Sequence, residues 1–481
     1  MTRHRLMRLG VALGLLGGAS LGGCSLGPAY QRPAVPVPAA YRAAPRAAPA
    51  AAPAPEWWRG FGSTELDGLI ADARAQSFDI AAAIARVRQA DAALRTAGSP
   101  LLPTVGVSAK DSWQRSFSSL RGKYAEQRTY SVLPSLSYEI DFWGRLRAGQ
   151  AAAQANALFS RFDQQTVVLT TTAAVASAWF QALALQDRLA VARRNLGDAE
   201  QILQAIRARM AAGTASLLDV SQQETLVAGI RAQIPSLQSQ LEQQIAGLGV
   251  LVGRPPEEIT VRTGTLTALT LPPVAPGLPS ALLARRPDIA AAEAQLVAAN
   301  ANIQVARADF FPQITLSGTA GWQNIALGTL FGPGSFLASL AGNAAQTIFD
   351  NGAKQGAYEQ AKGRYDELLA DYRKAVVQAF TDVDNGVTAY RYATAQEALA
   401  RDAVATAQRA ADIARAQLLA GTSDLVTALQ AQTTLFTDLD NLAQVRLARF
   451  QALLGLYKAL GGGWSAADVA APASPIFNGV L

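Results

Sequence analysis

"DIAAAEAQLVAANANIQVARADFFPQITLSG" spans residues 288–318, and "DIAAAIARVRQADAALRTAGSPLLPTVGVSA" spans residues 79–109. Aligned at an offset of 209, the two share 11 of 31 residues. Most of those identities are alanines in an alanine-rich chain, so the pattern carries more weight than the count. Both stretches open on Asp-Ile, run through helix formers, reach Pro103 or Pro312, and then alternate apolar with polar residues. A proline pushes the residue before it out of the helical region, so each stretch predicts a helix that hands over to a strand. "IDFWG" at 140 pairs with "IFDNG" at 348, and "AGTASLLDV" at 212 with "AGTSDLVTA" at 420, now at an offset of 208. The chain reads as a tandem duplication.

Prolines mark its divisions. Eight of them between residues 24 and 55 predict an extended tether rather than a packed segment. A second proline-rich stretch, 255–287, separates the halves, and the tracts 135–234 and 334–471 contain none. Such tracts permit helices far longer than the ordinary ~11 to 12 residues. A continuous helix over 145–212 would reach roughly 100 Å at about 1.5 Å per residue. It holds no run of 18 apolar residues and so does not read as a membrane span. Val168, Val175, Trp179, Leu183 and Leu189 recur at mixed three- and four-residue steps, a stripe for packing on other helices. Gly213 and Thr214 then interrupt the helix and Ser216 can cap a new one; Gly421 to Ser423 repeat the arrangement. Each half therefore predicts a long antiparallel helical hairpin with a distant tip.

The alternating segments predict strands. From Tyr130 to Phe142 the even positions are Tyr, Val, Pro, Leu, Tyr, Ile and Phe, and the odd ones are Ser131, Leu133, Ser135, Ser137, Glu139 and Asp141. Aromatic ends and an apolar face suit a lipid-facing barrel strand. Pro134 cannot donate to a central ladder and predicts a bulge or an end position. Ile314, Leu316, Gly318, Ala320 and Trp322 form a second run, and the flanking stretches 104–117 and 335–349 complete two hairpins. Four strands do not close a membrane barrel and an open edge is not tolerated in lipid, so the strands must enter a shared barrel.

Arg3, Arg5 and Arg8 precede an apolar stretch from Leu9 to Leu16, and "LGGC" ends at Cys24. This is the pattern of a bacterial lipoprotein signal, too short to span a membrane. Cleavage is expected before Cys24, whose acyl chains would anchor the chain, and Ser25 after it favours the outer membrane. The one histidine, His4, lies in that signal, and Cys24 is the only cysteine. Serine or cysteine triads, Cys/His zinc sites and structural disulfides are thereby excluded from the mature chain. The formal charge falls from +6 to +3, as 42 basic residues lose three arginines and 36 acidic residues lose none. With no clustered basic patch, the chain is not read as a nucleic-acid binder. No cofactor or metal is expected.

"LLARRPDIAAAEAQLVAANANIQVARADFFPQITLSG", "IFDNG", the "AGT" tips and "LYKALGGGW" resemble the outer membrane factors of Gram-negative bacteria, in the OprM and NodT lipoprotein branch. The resemblance covers essentially all of residues 24–464. It implies a mainly α chain with a membrane β-barrel, in which three copies build one twelve-stranded barrel continued by a periplasmic α-barrel. The expected organisation is a signal peptide at 1–23, a tether at 24–55, a first repeat at 56–250, a connection at 251–287, a second repeat at 288–464 and a tail at 465–481. The implied function is that of a passive outer-membrane exit duct, not an enzyme. It would be served by a periplasmic adaptor and an inner-membrane transporter of the resistance-nodulation-division class. The family's adaptor-docking tips fall here on Gly213, Thr214, Ser216, Leu217 and Asp219, and on Gly421, Thr422, Ser423, Asp424 and Leu425. Its aperture pattern, an apolar residue followed by an acid and then a base, falls on Val426, Gln430 and Thr433, so both charged residues are missing. Either the closed tip is held differently, or Asp424 and Asp219 supply the charge, and the second is expected. A type I protein-secretion duct would share this fold, and a lipid-tethered coiled-coil scaffold would explain the helices without a pore.

Overall fold

The computed structural model describes residues 29–43, 53–119, 122–274, 276–464 and 469. The signal peptide, Cys24 and the tail at 465–481, apart from residue 469, lie outside the described residues. Twelve elements among them form two equal series. The first is α1 (Thr64–Gln76), α2 (Phe78–Gly98), β1 (Thr104–Ser118), β2 (Lys123–Ile140), α3 (Arg145–Ala211) and α4 (Leu217–Val252). The second is α5 (Pro279–Arg285), α6 (Pro287–Ala308), β3 (Gln313–Asn324), β4 (Phe336–Ala345), α7 (Ala353–Ala420) and α8 (Leu425–Ala459). The duplication is thus physical as well as textual.

The same devices recur at equivalent places. Gly144 and Gly352 sit at φ 75° and 87° before α3 and α7. Beside them, Asp141 accepts from the backbone N–H of Leu146 and Arg147, and Asp350 from those of Gly352 and Lys354. Carboxylates on these otherwise unsatisfied N–H groups start both long helices, and the helix dipole favours their charge. At the far ends of α4 and α8, Gly253 and Gly461 adopt positive φ against the carbonyls of Gln76 and Arg285. A Cβ at either would fall 2.3 or 2.6 Å from that oxygen, so only glycine lets the returning helix meet the short one.

α3 has 67 residues and α7 has 68, with no internal proline. Alanine-rich sequence with few breakers sustains such length, and packing supplies the rest of the stability. α4 passes through Pro235 without ending, because Leu237 is buried against Leu189 and Ala192 of α3. An 18-residue window of α3 is apolar enough for a membrane, but 67% of it is buried in the protein, as a core helix requires. One buried core joins Trp57, Trp58 and Phe61 to Trp179 and Phe180 of α3 and to Phe450 and Tyr457 of α8. Phe61 lies 4.9 Å from Phe180 and 5.9 Å from Phe450, and burial contributes about 1.5–3 kcal/mol per side chain.

Residues 29–43 correct the tether expectation. They are extended, yet Tyr41 is buried with Tyr372, Val376 and Leu456. Arg32 pairs with Glu293, and the backbone N–H of Ala43 donates to Asp384. Prolines remove helix and sheet options but leave apolar side chains free to dock.

One antiparallel sheet has the order β1-β2-β3-β4. β2 begins at Lys123, seven residues ahead of the expected Tyr130. Pro134 sits mid-strand without a bulge: Val132↔Trp322 and Ser135↔Thr319 keep one register, and only the pairs between them are missing. Gly321 makes this possible, since a Cβ there would meet the Val132 carbonyl at 2.3 Å. The close approach of a bare backbone replaces the bulge.

Glu397 of α7 is 2% exposed and is held by Arg401, Arg446 and Arg449 at 2.5, 3.1 and 2.9 Å. Burial works to raise its carboxyl, but the bonds from Arg449, Arg401 and Arg446 prevail and leave it below the usual range. A depressed folded pKa stabilises above the unfolded value, and that stability is lost as pH falls through the folded one. Glu397→Gln should therefore lower unfolding stability by about 3 kcal/mol at neutral pH, with the gap to wild type closing well below about pH 4. Denaturant melts across pH would show this, and equal midpoints at neutral pH would refute it.

Candidate functional site

Alternation along four paired strands gives the sheet two chemically different faces. Val105, Val107, Val132, Leu136, Leu316 and Leu340 share one face, whereas Ser108, Ser135, Ser137, Ser317, Thr319 and Ser339 share the other. Thr319 and Ser339 are hydrogen-bonded across strands at 2.7 Å on the hydroxyl-rich face. Ten steps from Tyr130 to Ile140 cover about 34 Å along the strand, or roughly 25 Å once tilted, which is the height of a lipid-facing band. Aromatic groups bound that band. Trp322 meets Phe331 and Phe336 edge-on at one end. At the other end Trp143 stacks on Phe311 at 4.7 Å and its indole N–H donates to the Pro312 carbonyl at 2.8 Å. Past Tyr130 the apolar face changes character: Asp111–Arg128 and Arg115–Glu126 are ion pairs, so the longer β1–β2 hairpin extends out of the apolar layer.

β1 and β4 are the edges, and neither has a second partner among the described residues. In lipid such edges are not tolerated, so this sheet is an arc of a larger barrel.

At the opposite end of the long helices, the two tips lie side by side. Ile202, Ile206, Val220, Leu418, Leu425 and Ala428 belong to one buried cluster, and Arg209 donates to the Leu418 carbonyl at 2.8 Å. Gly213 and Gly421 take positive φ. Thr214 and Thr422 each return backbone N–H and hydroxyl to the carbonyl five residues back, Arg209 and Gln417. Ser216 caps α4 in a reciprocal box with Asp219. In the second tip the cap is Asp424, not Ser423, because the offset of 208 carries Ser216 onto Asp424. Asp424 accepts from the backbone N–H and hydroxyl of Thr427 at 2.8 and 3.0 Å.

Both tip carboxylates are thus caps, and both are held below the usual range. The backbone N–H of Ser216 and then its hydroxyl do this for Asp219, and those of Thr427 for Asp424. Leu217 is 71% exposed while its counterpart Leu425 is buried. Val426, Gln430 and Thr433 form one exposed stripe along α8, as i, i+4 and i+7 spacing requires. Thr433 also borders a groove with Arg188, Asn195 and Asp440.

Other important residues carried little sequence signal. Arg286, within the quoted "LLARRPDIAAAE", bonds Asp288, Asp382 and the Ala459 carbonyl, tying α6 to α7 and α8. Its neighbouring acid was visible; its distant partners were not. Arg188–Asp440 and Glu397–Arg446 likewise join residues far apart in the chain.

The profile of a family described as "Outer membrane efflux protein" matches residues 69–254 and again 278–462, once per repeat. The chain is 40% identical over 417 residues to the pyoverdine export outer membrane protein OpmQ of Pseudomonas aeruginosa, covering 85% of this chain and 87% of that one. It is 33% identical over 469 residues to the toluene efflux pump outer membrane protein TtgC of Pseudomonas putida, covering 95% and 96%. The open-state crystal structure of the MtrE outer membrane channel of Neisseria gonorrhoeae superposes with a TM-score of 0.84 at 28% identity, over 92% of this chain and 98% of that one. The two-faced sheet, the paired hairpins and these matches agree: the chain belongs to the outer membrane efflux protein family and is an exit duct for efflux across the outer membrane, not an enzyme.

Proposed function

We propose that three copies of this chain assemble into one continuous duct, anchored by lipid at Cys24 and fed at the helical tips by a periplasmic adaptor and an inner-membrane transporter of the resistance-nodulation-division class. One observation carries the reading. The sheet is apolar on one face, hydroxyl-lined on the other, and unpaired at both edges. Copies joined edge to edge turn the apolar faces to lipid and enclose water against the hydroxyls. The duct conducts passively: Ser and Thr solvate a passing solute without binding one tightly. Exposed Leu217 at the tip supports an apolar adaptor contact, flanked by Gly213, Thr214, Ser216 and Asp219 and by Gly421, Thr422, Ser423, Asp424 and Leu425 of the adjoining turn. Val426, Gln430 and Thr433 line the aperture in this reading, with Asp219 and Asp424 as its fixed negative charges.

Wild type and Cys24→Ser, extracted from the outer membrane in mild detergent, should both have a trimer mass and conduct ions in a planar bilayer. Only the wild type should carry acyl mass. A monomer, or a trimer without conductance, would reject the duct reading, because a coiled-coil scaffold needs no pore.

Leu217→Asp should abolish co-purification of the cognate adaptor while leaving trimer mass and conductance unchanged. Adaptor retained at the wild-type level would remove Leu217 from the docking surface.

Asparagine caps helices about as well as aspartate, so Asp424→Asn removes charge while preserving the turn. It should weaken cation selectivity in single-channel recordings, and Gln430→Asp should strengthen it. Because the Asp424 carboxyl is held low, wild-type selectivity should persist as pH falls through about 4, the ordinary aspartate value. Equal selectivity in wild type and Asp424→Asn would show that the charge is not sensed by permeating ions.

A further inference from the structure

The apolar face of the sheet is unevenly filled. Across β2, β3 and β4 the row Leu136↔Gly318↔Leu340 has glycine at its centre, and the next row outward pairs Ala320 with Ala338 beside Pro134. A Cβ at Gly318 would lie 3.6 Å from Leu340 Cδ1 and 4.0 Å from Leu136 Cβ, so these two side chains stand over it from either side. Gly318, Ala320 and Ala338 floor a groove of about 530 Å3 whose walls are Pro134, Leu136 and Leu340. One row further out, the facing rings of Trp322 and Phe336 close it on β3 and β4. The remaining way out runs along β2, over the smaller Val132 to Tyr130 and Arg128.

The two hairpins also differ in charge. Residues 110–130, from the outer edge of the apolar band onward, hold five basic and two acidic residues, a net of +3. Residues 310–349 hold none of either sign. On the same face as the groove, Arg128 and Arg115 are 55% and 53% exposed and lie over the Tyr130 and Tyr124 rings at 5.1 and 4.7 Å. Asp111 accepts from Nε and Nη2 of Arg128 at 3.0 and 2.6 Å, which leaves Nη1 to another acceptor. Pro134 and Leu136 lie four and six residues inside Tyr130. On a tilted strand that is roughly 10 to 15 Å below the outer edge of the band, and half of a ~30 Å hydrocarbon core is about 15 Å. An acyl chain whose head sits beside Arg128 therefore ends in the groove.

We propose that this face holds a phosphorylated lipid of the outer leaflet, its phosphate on Arg128 and the end of one acyl chain in the groove over Gly318, Ala320 and Ala338. The proposal rests on the lipid-facing reading of that face in the trimer above. Guanidinium presents several donors to a phosphate at once, and an exposed ion pair such as Asp111–Arg128 gives up little when a phosphate joins it. The groove lies as far from Ile140 as from Tyr130, so charge selects the leaflet. At the periplasmic end Arg145 and Arg147 are balanced by Glu139 and Asp141, whereas the outer hairpin carries the positive surplus.

The test uses the delipidated trimer in mild detergent and native mass spectrometry, with bisphosphorylated lipid A, its dephosphorylated form and phosphatidylglycerol as probes. Bisphosphorylated lipid A should bind at one molecule per chain, and about tenfold more tightly than the dephosphorylated form, the size of one charge-assisted hydrogen bond. Asp111→Asn with Arg128→Gln leaves the net charge unchanged and should abolish that preference, whereas Asp111→Asn alone should keep it. Gly318→Leu and Ala338→Leu fill the groove from its floor. Each should weaken both forms of lipid A by about tenfold, the equivalent of about two buried methylene groups, and leave the phosphate preference intact. Trimer mass and conductance should be unchanged throughout. Equal binding of the two lipid A forms, a preference that survives in the double variant, tighter binding of phosphatidylglycerol, or full affinity in a leucine variant that retains trimer mass overturns the lipid site and leaves the duct standing. A monomer mass or absent conductance in the wild type overturns the duct reading itself.

Discussion

An unpaired backbone N–H or C=O in hydrocarbon has no water to fall back on, and each one costs several kcal/mol. Everything else in this chain is arranged around that constraint. A barrel must close, yet one chain supplies only four strands with two open edges. Duplication makes the problem smaller, since a hairpin that pairs with its own repeat also presents the surfaces needed to pair with the next copy. The hydroxyl-lined face follows from the same closure, because an alternating strand that faces lipid on one side must face the lumen on the other.

The barrel also has to be joined to something that extends far into the periplasm. A helix of 67 or 68 residues does this at low sequence complexity, as each turn satisfies its own backbone. The difficulty lies at the junctions, where a strand becomes a helix and exposes free N–H groups. Asp141 with Gly144, and Asp350 with Gly352, solve it twice by the same means. Gly253 and Gly461 solve the reverse problem, bringing each returning helix against the short helix at the start of its own repeat. The sheet and both hairpins are consequently held at fixed angles by a small number of residues.

How much of this could be read in advance depended on sequence separation. Alternation in 130–142, the proline stops at 103 and 312, and the glycine tips are local signals, and the structure bears them out. Asp424 as a cap was readable from the repeat offset, although Ser423 beside it is the more conspicuous capping type. Pro134 misled because its accommodation depends on Gly321, almost two hundred residues away, and no local rule connects them. The docking of residues 29–43 escaped for a similar reason: Arg32 meets Glu293, 261 residues distant. Glu397 gathers two of its three arginines from another helix, so the sequence shows only Arg401 at i+4.

Where the halves differ is as informative as where they agree. Trp143 and Phe311 stack at the seam within one chain, whereas the equivalent places at the open seam hold Asn351 and Leu102. The inner seam forms between tethered partners at high effective concentration, so large aromatic surfaces there are buried as soon as the chain folds. The outer seam must wait for a second copy, and its groups stay exposed to water and to other chains until then. At this junction of strand and helix the sequence places its stacked aromatic pair on the contact that closes first.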